Sequence, residues 1–298
     1  METRERKGLV LVELITLLGI GTMVTGLILP QIQFAREAAR RAQCINNLKQ
    51  MGLGLHNYLS ANGTFPMSST QGKGHATGHS GFTAILPYME QAPLYNAYNF
   101  DLENWHEANA TVVVVKVNTF LCPSNKYVEP LPAADIKNAH DKAYEGKSKF
   151  AQGHYGMNWG GVRPASGAEQ EKSYGASWRG LLLTVVDPDS KVPTKNVAIA
   201  DVTDGLSFTC LILEKRDSFG WAVGGWGGSE FDVNLLPNDP GKDPMARRIF
   251  TGSEHPGVVN LLMGDGSARF VKNTIKRPIW YAITTRASGE KVEAMDLE

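Results

Sequence analysis

METRERKGLVLVELITLLGIGTMVTGLILP, residues 1–30, is the stretch that decides the architecture. Residues 9–29 contain one charge, Glu13, and otherwise only Thr16, Thr22 and Thr25 among side chains that hydrogen-bond. As a helix this segment would span roughly 30 Å, the thickness of a bilayer's hydrocarbon core. A soluble helix would gather its polar residues on one face. An ordinary secretory signal has a shorter apolar core followed by a small-residue cut site, and here a helix-forming run follows instead. A plain membrane anchor fits the length but leaves Glu13 without a partner, and a carboxylate in hydrocarbon costs at least a few kcal/mol. Arg4, Arg6 and Lys7 outweigh Glu2 and Glu5 ahead of the apolar run, which puts that end in the cytoplasm. Arg36, Arg40 and Arg41 beyond it pull the other way, but long domains translocate largely regardless of nearby charge.

Lys7-Gly8, an apolar residue, and a glutamate at the fifth position after the glycine form a pattern that resembles the cleavage and methylation signal of type IV prepilins and pseudopilins. The resemblance implies that a membrane peptidase cuts after Gly8 and that Leu9, where the family more often has phenylalanine, becomes the N-methylated first residue. It also gives Glu13 a role: its carboxylate would face the N-terminal amine of a neighbouring subunit, each charge offsetting the other's desolvation. Pro30 falls where many pilins carry a proline that bends the helix.

Residues 31–60 continue the helical pattern, with Ile45, Leu48, Met51, Leu55 and Leu59 recurring every three or four residues. That stripe predicts a face laid on a folded head, with Arg36, Arg40, Arg41 and Lys49 largely off it. Asn62-Gly63, with Phe65-Pro66 beyond, is a helix stop signal. The segment 44–66, CINNLKQMGLGLHNYLSANGTFP, resembles the large prepilin-like proteins of the DUF1559 type, which pair it with a C-terminal H-X9-DG motif. Here His255 is followed by nine residues and then Asp265-Gly266. FLCPSN (120–125) resembles that family's cysteine-proline turn. DVTDGLSFTCLILE (201–214) resembles its acidic-glycine turn and strand, with Phe208 in place of the expected asparagine. The resemblance covers most of the chain in order. Because Cys44 and Cys122 both lie in these family-like segments, they are the candidate pair for a disulfide tying the helix to the head, with both thiols free as the alternative, and Cys210 falls in an apolar strand as a buried free thiol.

The predicted fold is α+β: a leader at 1–8, a pilin-like helix at 9–62 (transmembrane over 9–29), and a β-rich globular head at 63–298. VVVVKVNTFLC (112–122), NVAIAD (196–201) and SFTCLILE (207–214) read as strands. VVNLLM (258–263) and ARFVKNT (268–274), joined through Asp265-Gly266, read as a hairpin. The stretches 68–81 and 123–150 read as loops or insertions.

The chain has zero net formal charge over 298 residues, which gives no support for a nucleic-acid partner. Three cysteines exclude a disulfide-dense scaffold, and none lies in the CxxC pair that signals a zinc-finger-type site. No GxSxG, Walker-type loop, HExxH or dinucleotide fingerprint is present. His255 with Asp265 invites a catalytic reading, but Asp265 and Gly266 have a turn to make. His75 and His79 have a metal-binding spacing for a helix, yet their glycine-rich surroundings read as a flexible surface loop. Asp201, Asp204 and Glu214 offer the oxygens of a calcium site, as in some pseudopilins, and equally suit turn and strand-end roles. FGWAVGGWGG (219–228) could present aromatics to a sugar or another subunit, or pack in a buried strand. As a proton relay Glu13 lacks a second intramembrane ionisable residue.

The expected function is structural: a pilin-like or pseudopilin-like subunit of a filament or secretion apparatus, without enzymatic activity or cofactor. The alternative is a membrane-tethered surface binding protein that does not polymerise. Expected partners are the prepilin peptidase and N-methyltransferase, like or related subunits, and the lipid bilayer. The expected location is the inner membrane, spanned once, with the head in the periplasm or at the cell surface.

Overall fold

A single helix, α1 (Glu2–Asn62), takes up the first fifth of the chain in the computed structural model. The structure describes residues 2–71, 77–126, 129–132, 148–160, 180–182, 184–185, 196–225, 228–231, 233, 236–239, 250–287 and 289, with side chains from Glu13 onward except at 71, 77, 184 and 185. Two units emerge, Met1–Ala42 and Gln43–Glu298.

In the first unit every described side chain from Glu13 to Arg36 is exposed, including Leu17, Leu18, Leu27 and Leu29. This part of α1 is long and apolar enough to cross a membrane. Its threonines do not interrupt that surface, because each hydroxyl turns back on the helix. Thr16 donates to the Glu13 carbonyl at 2.8 Å, Thr22 to Gly19 at 2.9 Å, and Thr25 to Gly21 at 2.8 Å. Pro30 lies inside the helix, so one backbone N–H is missing from the ladder there.

The second unit begins with the remainder of α1, Gln43–Asn62. After it come β1 (Ser69–Gln71), β2 (Thr77–Ser80), the short helices α2 (Gly81–Ile85), α3 (Ala92–Ala97) and α4 (Ala110–Val113), then β3 (Leu131–Pro132), β4 (Lys149–Phe150), β5 (Tyr155–Met157), β6 (Thr184–Val185), β7 (Cys210–Glu214), β8 (Val258–Met263), β9 (Ala268–Lys272) and α5 (Arg277–Thr284). The principal sheet is antiparallel, in the order β5-β7-β8-β9. A smaller sheet runs β2-β1-β6, and β3 pairs with β4.

Both faces of the principal sheet are covered. On one, Ile212, Leu262, Tyr155 and Met157 share a cluster with Cys44, Leu48, Met51, Leu55 and Leu59 of α1. On the other, Leu213, Val259, Leu261, Met263 and Val271 pack with Trp280 and Ile283 of α5. The alternation along β8, with Val259, Leu261 and Met263 to one side and Leu262 to the other, is the period of two that a doubly covered strand requires. Gly52 lets α1 approach closely: a Cβ there would stand 2.9 Å from Leu262 Cδ2. The helix ends where predicted. Gly63 adopts φ +74, and its N–H donates to the Leu59 carbonyl at 2.8 Å.

The α+β class, the α1 stripe, the β7 strand and the β8–β9 hairpin agree with the sequence reading. Two predicted strands do not form. Within 112–122, Val112 and Val113 are buried while Val114 and Val115 are exposed, a pairing that suits the last turn of α4 and not an alternating strand. A 3-10 turn, Asn118–Phe120, follows. In 196–201 the Asp201 carboxylate accepts the Ala198 N–H at 2.9 Å and closes a 3-10 turn, Ile199–Asp201, that leaves Ile199 exposed. The expected loop at 68–81 contains β1, β2 and the start of α2. The described part of the expected loop at 123–150 contains the paired strands β3 and β4, and the rest of it lies outside the described residues.

Candidate functional site

Four chemically reactive side chains converge in the interior of the head: Cys44, Cys122, Glu214 and His255, all buried, with their ligand-capable atoms within 4.8 Å of one another. Each comes from a different structural element. Cys44 lies in the first turn of the head's share of α1. Cys122 follows the Asn118–Phe120 turn, and its N–H donates to His154 Nδ1 at 3.1 Å. Burial pushes the His154 imidazole down to about 4, with Asp217 opposing. The ring is therefore neutral near pH 7, as an accepting Nδ1 requires.

Cys44 and Cys122 form a disulfide, with Cα atoms 5.2 Å apart and 78 residues between them in sequence. Next to it, Asn47 Nδ2 donates to the Leu121 carbonyl at 2.8 Å. The helix and the Cys122 segment are thus joined by a covalent bond and a buried hydrogen bond.

Glu214 ends β7. Its Oε2 accepts the Asn260 backbone N–H and its Oε1 accepts Asn260 Nδ2, both at 3.0 Å. His255 precedes β8. Its Nε2 lies 3.5 Å from Glu214 Oε1 and 3.5 Å from Cys122 Sγ, and its Nδ1 lies 3.3 Å from Ser124 Oγ. The His255 N–H donates to Ser253 Oγ at 3.2 Å. Burial of a carboxylate is tolerated when it accepts hydrogen bonds, and Asn260 donates two here, with His255 Nε2 alongside. Burial pushes the neighbouring Tyr155 phenol upward, reinforced by Glu214.

Immediately beyond Glu214, Lys215 is also buried. Its Nζ donates to the Gly228 carbonyl at 3.0 Å and the Glu230 carbonyl at 2.6 Å. Burial pushes this ammonium down to about 7, against the pull of Asp217 and Glu230. The Glu230 carboxylate in turn accepts from Ser68 Oγ at 2.5 Å and Ser69 Oγ at 2.6 Å. This second polar knot ties β1, β7 and the 228–231 segment together.

The remaining predicted residues are dispersed. His255 and Asp265 stand at opposite ends of β8. Asp265 Oδ1 accepts the Ser267 N–H at 2.8 Å, and Gly266 adopts φ +84 in the hairpin turn. Asp201 and Asp204 precede β7 while Glu214 closes it. Asp201 caps its own turn and Asp204 Oδ1 accepts the Gly289 N–H at 2.9 Å, so the three carboxylates have separate local tasks. His79 is in β2, not in a surface loop: its Nδ1 lies 2.7 Å from Tyr98 Oη and its Nε2 3.0 Å from the Phe100 carbonyl. His75 lies outside the described residues. Trp221 is buried, and its Nε1 donates to the Val115 carbonyl at 2.9 Å. Cys210 is a buried free thiol whose pKa burial pushes up. Gly8 and Leu9 lie within the helical backbone of α1.

The sequence reading missed the pairing of Glu214 with His255 and the burial of Lys215. The usable signal was that Cys44, Cys122, Glu214 and His255 each sit in one of the four family-like segments. A family model described as "Protein of unknown function (DUF1559)" matches residues 33–277. No curated protein and no solved structure matches the chain.

Proposed function

Because the chain belongs to the DUF1559 family, we propose that it is a pilin-like or pseudopilin-like structural subunit, anchored by α1 and assembled with like or related subunits rather than acting as an enzyme. The observation that carries this reading is the division of labour along α1. Its N-terminal part exposes leucine and isoleucine on every side, and its C-terminal part is built into the head's core. A helix apolar all round needs a bilayer or other apolar helices around it, and the core of a helical filament supplies the second. The prepilin-like register of Gly8, Leu9, Glu13 and Pro30 supports the same reading. On it, prepilin peptidase cuts after Gly8, Leu9 is N-methylated, and the freed amine pairs with Glu13 of a neighbouring subunit. The head then lies in the periplasm or at the cell surface.

N-terminal sequencing of the native protein tests the processing step. The expected first residue is N-methylated Leu9, and an intact Met1 overturns cleavage. Glu13→Ala tests assembly. Processing should persist while incorporation into filaments is lost. A native protein recovered only as a detergent-soluble monomer would instead establish a tethered binding protein.

A further inference from the structure

We propose that Cys44, Cys122, Glu214 and His255, in the dithiol form of the chain, bind one zinc-class divalent cation, so that the metal-bound form and the Cys44–Cys122 disulfide are mutually exclusive states of one site. Two thiolates, one imidazole and one carboxylate make a donor set that zinc favours. Two edges at His255 already fit. Adjacent ligands of a tetrahedral zinc, at bond lengths of about 2.05 Å to nitrogen, about 2.1 Å to oxygen and about 2.3 Å to sulfur, stand roughly 3.4–3.6 Å apart across an N–O or N–S edge. His255 Nε2 is 3.5 Å from Glu214 Oε1 and 3.5 Å from Cys122 Sγ. The sulfur–sulfur edge must lengthen to about 3.8 Å, and the remaining ligand atoms already lie within 4.8 Å of one another. That opening follows once the S–S bond is gone.

The surrounding groups are those a metal site needs. Ligating imidazoles and carboxylates are usually held by a second set of hydrogen bonds. Here Ser124 Oγ lies against His255 Nδ1, and Asn260 holds Glu214 through both its backbone N–H and its side chain. A serine hydroxyl can donate or accept. It can therefore serve the tautomer with the proton on Nε2, facing Glu214 in the disulfide state, and the tautomer with the proton on Nδ1, needed when Nε2 ligates. All four residues are buried, as in closed structural zinc sites.

The chemistry balances. The chain is synthesised with two thiols, and binding M2+ displaces their two protons. Formation of the disulfide requires a thiol oxidant to remove two electrons, and the ion leaves. In the reverse direction a dithiol or phosphine supplies two electrons and two protons reopen the bond.

The test uses the full chain in detergent, reduced with a phosphine without oxygen and titrated with Co2+. One Co2+ per chain should bind, with a thiolate-to-cobalt charge-transfer band that Zn2+ removes. The same chain with its disulfide intact should show no such band. Zn2+ should also slow alkylation of Cys44 and Cys122 in the folded reduced chain, mapped by mass spectrometry, while leaving that of Cys210 unchanged. His255→Ala should weaken binding by more than about tenfold, and Ser124→Ala by about tenfold. The Ser124 variant keeps the test open if His255→Ala does not fold. No Co2+ band in the reduced chain, equal alkylation with and without Zn2+, or equal affinity in a folded His255 variant would each overturn the proposal.

Discussion

Leu18 and Leu55 belong to one helix, yet the first is 61% exposed and the second is fully buried. Around Leu18 neighbouring positions are apolar in every direction. Around Leu55 the apolar residues other than Leu53 keep to a stripe, with Lys49, Gln50 and Asn57 exposed beside it. The two parts of α1 contain similar leucines and glycines and differ in how these are arranged around the axis. An all-round apolar surface calls for a surrounding medium, whereas a stripe calls for one partner face. Secondary structure is thus shared across α1, while the solvent each part requires is set by pattern alone.

The largest expected effect comes from cutting the bond that only the head's part of α1 makes. Cys44→Ser with Cys122→Ser should destabilise the head by about 4 kcal/mol, because the disulfide closes a loop of 78 residues. Urea unfolding of the purified chain would read this as a fall in midpoint. Next, Leu55→Ala should cost about 3 kcal/mol through the cavity it leaves, while Leu18→Ala should leave the head's thermal midpoint unchanged. Equal shifts for the two would erase the distinction.

Acid should produce an effect of similar size. His154, which holds Cys122 beside the helix, has a folded-state pKa of about 4 against 6.5 when unfolded. The unfolded chain binds the extra proton between these values, so stability is present above pH 6.5 and falls as pH drops toward 4, by about 3 kcal/mol. His154→Gln should flatten that part of the stability–pH curve.

The smallest effect compares two glycines. Gly52→Ala gains about 1 kcal/mol of helix propensity but meets the end of the Leu262 side chain, so a net loss of about 1 kcal/mol is expected. Gly21→Ala, with nothing within 4 Å, should leave head melting unchanged.

What could be read from the sequence follows the strength of local pattern. The α1 stripe and its stop at Gly63 were legible because a period near 3.6 and a left-handed cap are written in consecutive residues. So was the hairpin turned by Asp265-Gly266. The valines at 112–117 misled because β-branching reports a preference for half-buried surfaces more than for a strand backbone. Two buried neighbours followed by two exposed ones satisfy that preference on a helical turn. The cluster at His255 was legible only as pieces. Each residue lay in a marked segment, but Glu214 meets His255 through the pairing of β7 with β8, a non-local contact that neither segment encodes alone.

One consequence of the disulfide is mechanical. Cys44 is the second residue of the head unit, and everything N-terminal to Gln43 belongs to the other unit. Tension applied along α1 would enter the head at this residue. Without the bond, pulling would peel Leu48, Met51 and Leu55 from the sheet one turn at a time, each turn resisting alone. With it, the load passes directly from Cys44 into the Cys122 segment, and the remaining helical turns are shielded. The head's resistance to extension is then set by a covalent rivet at its first turn.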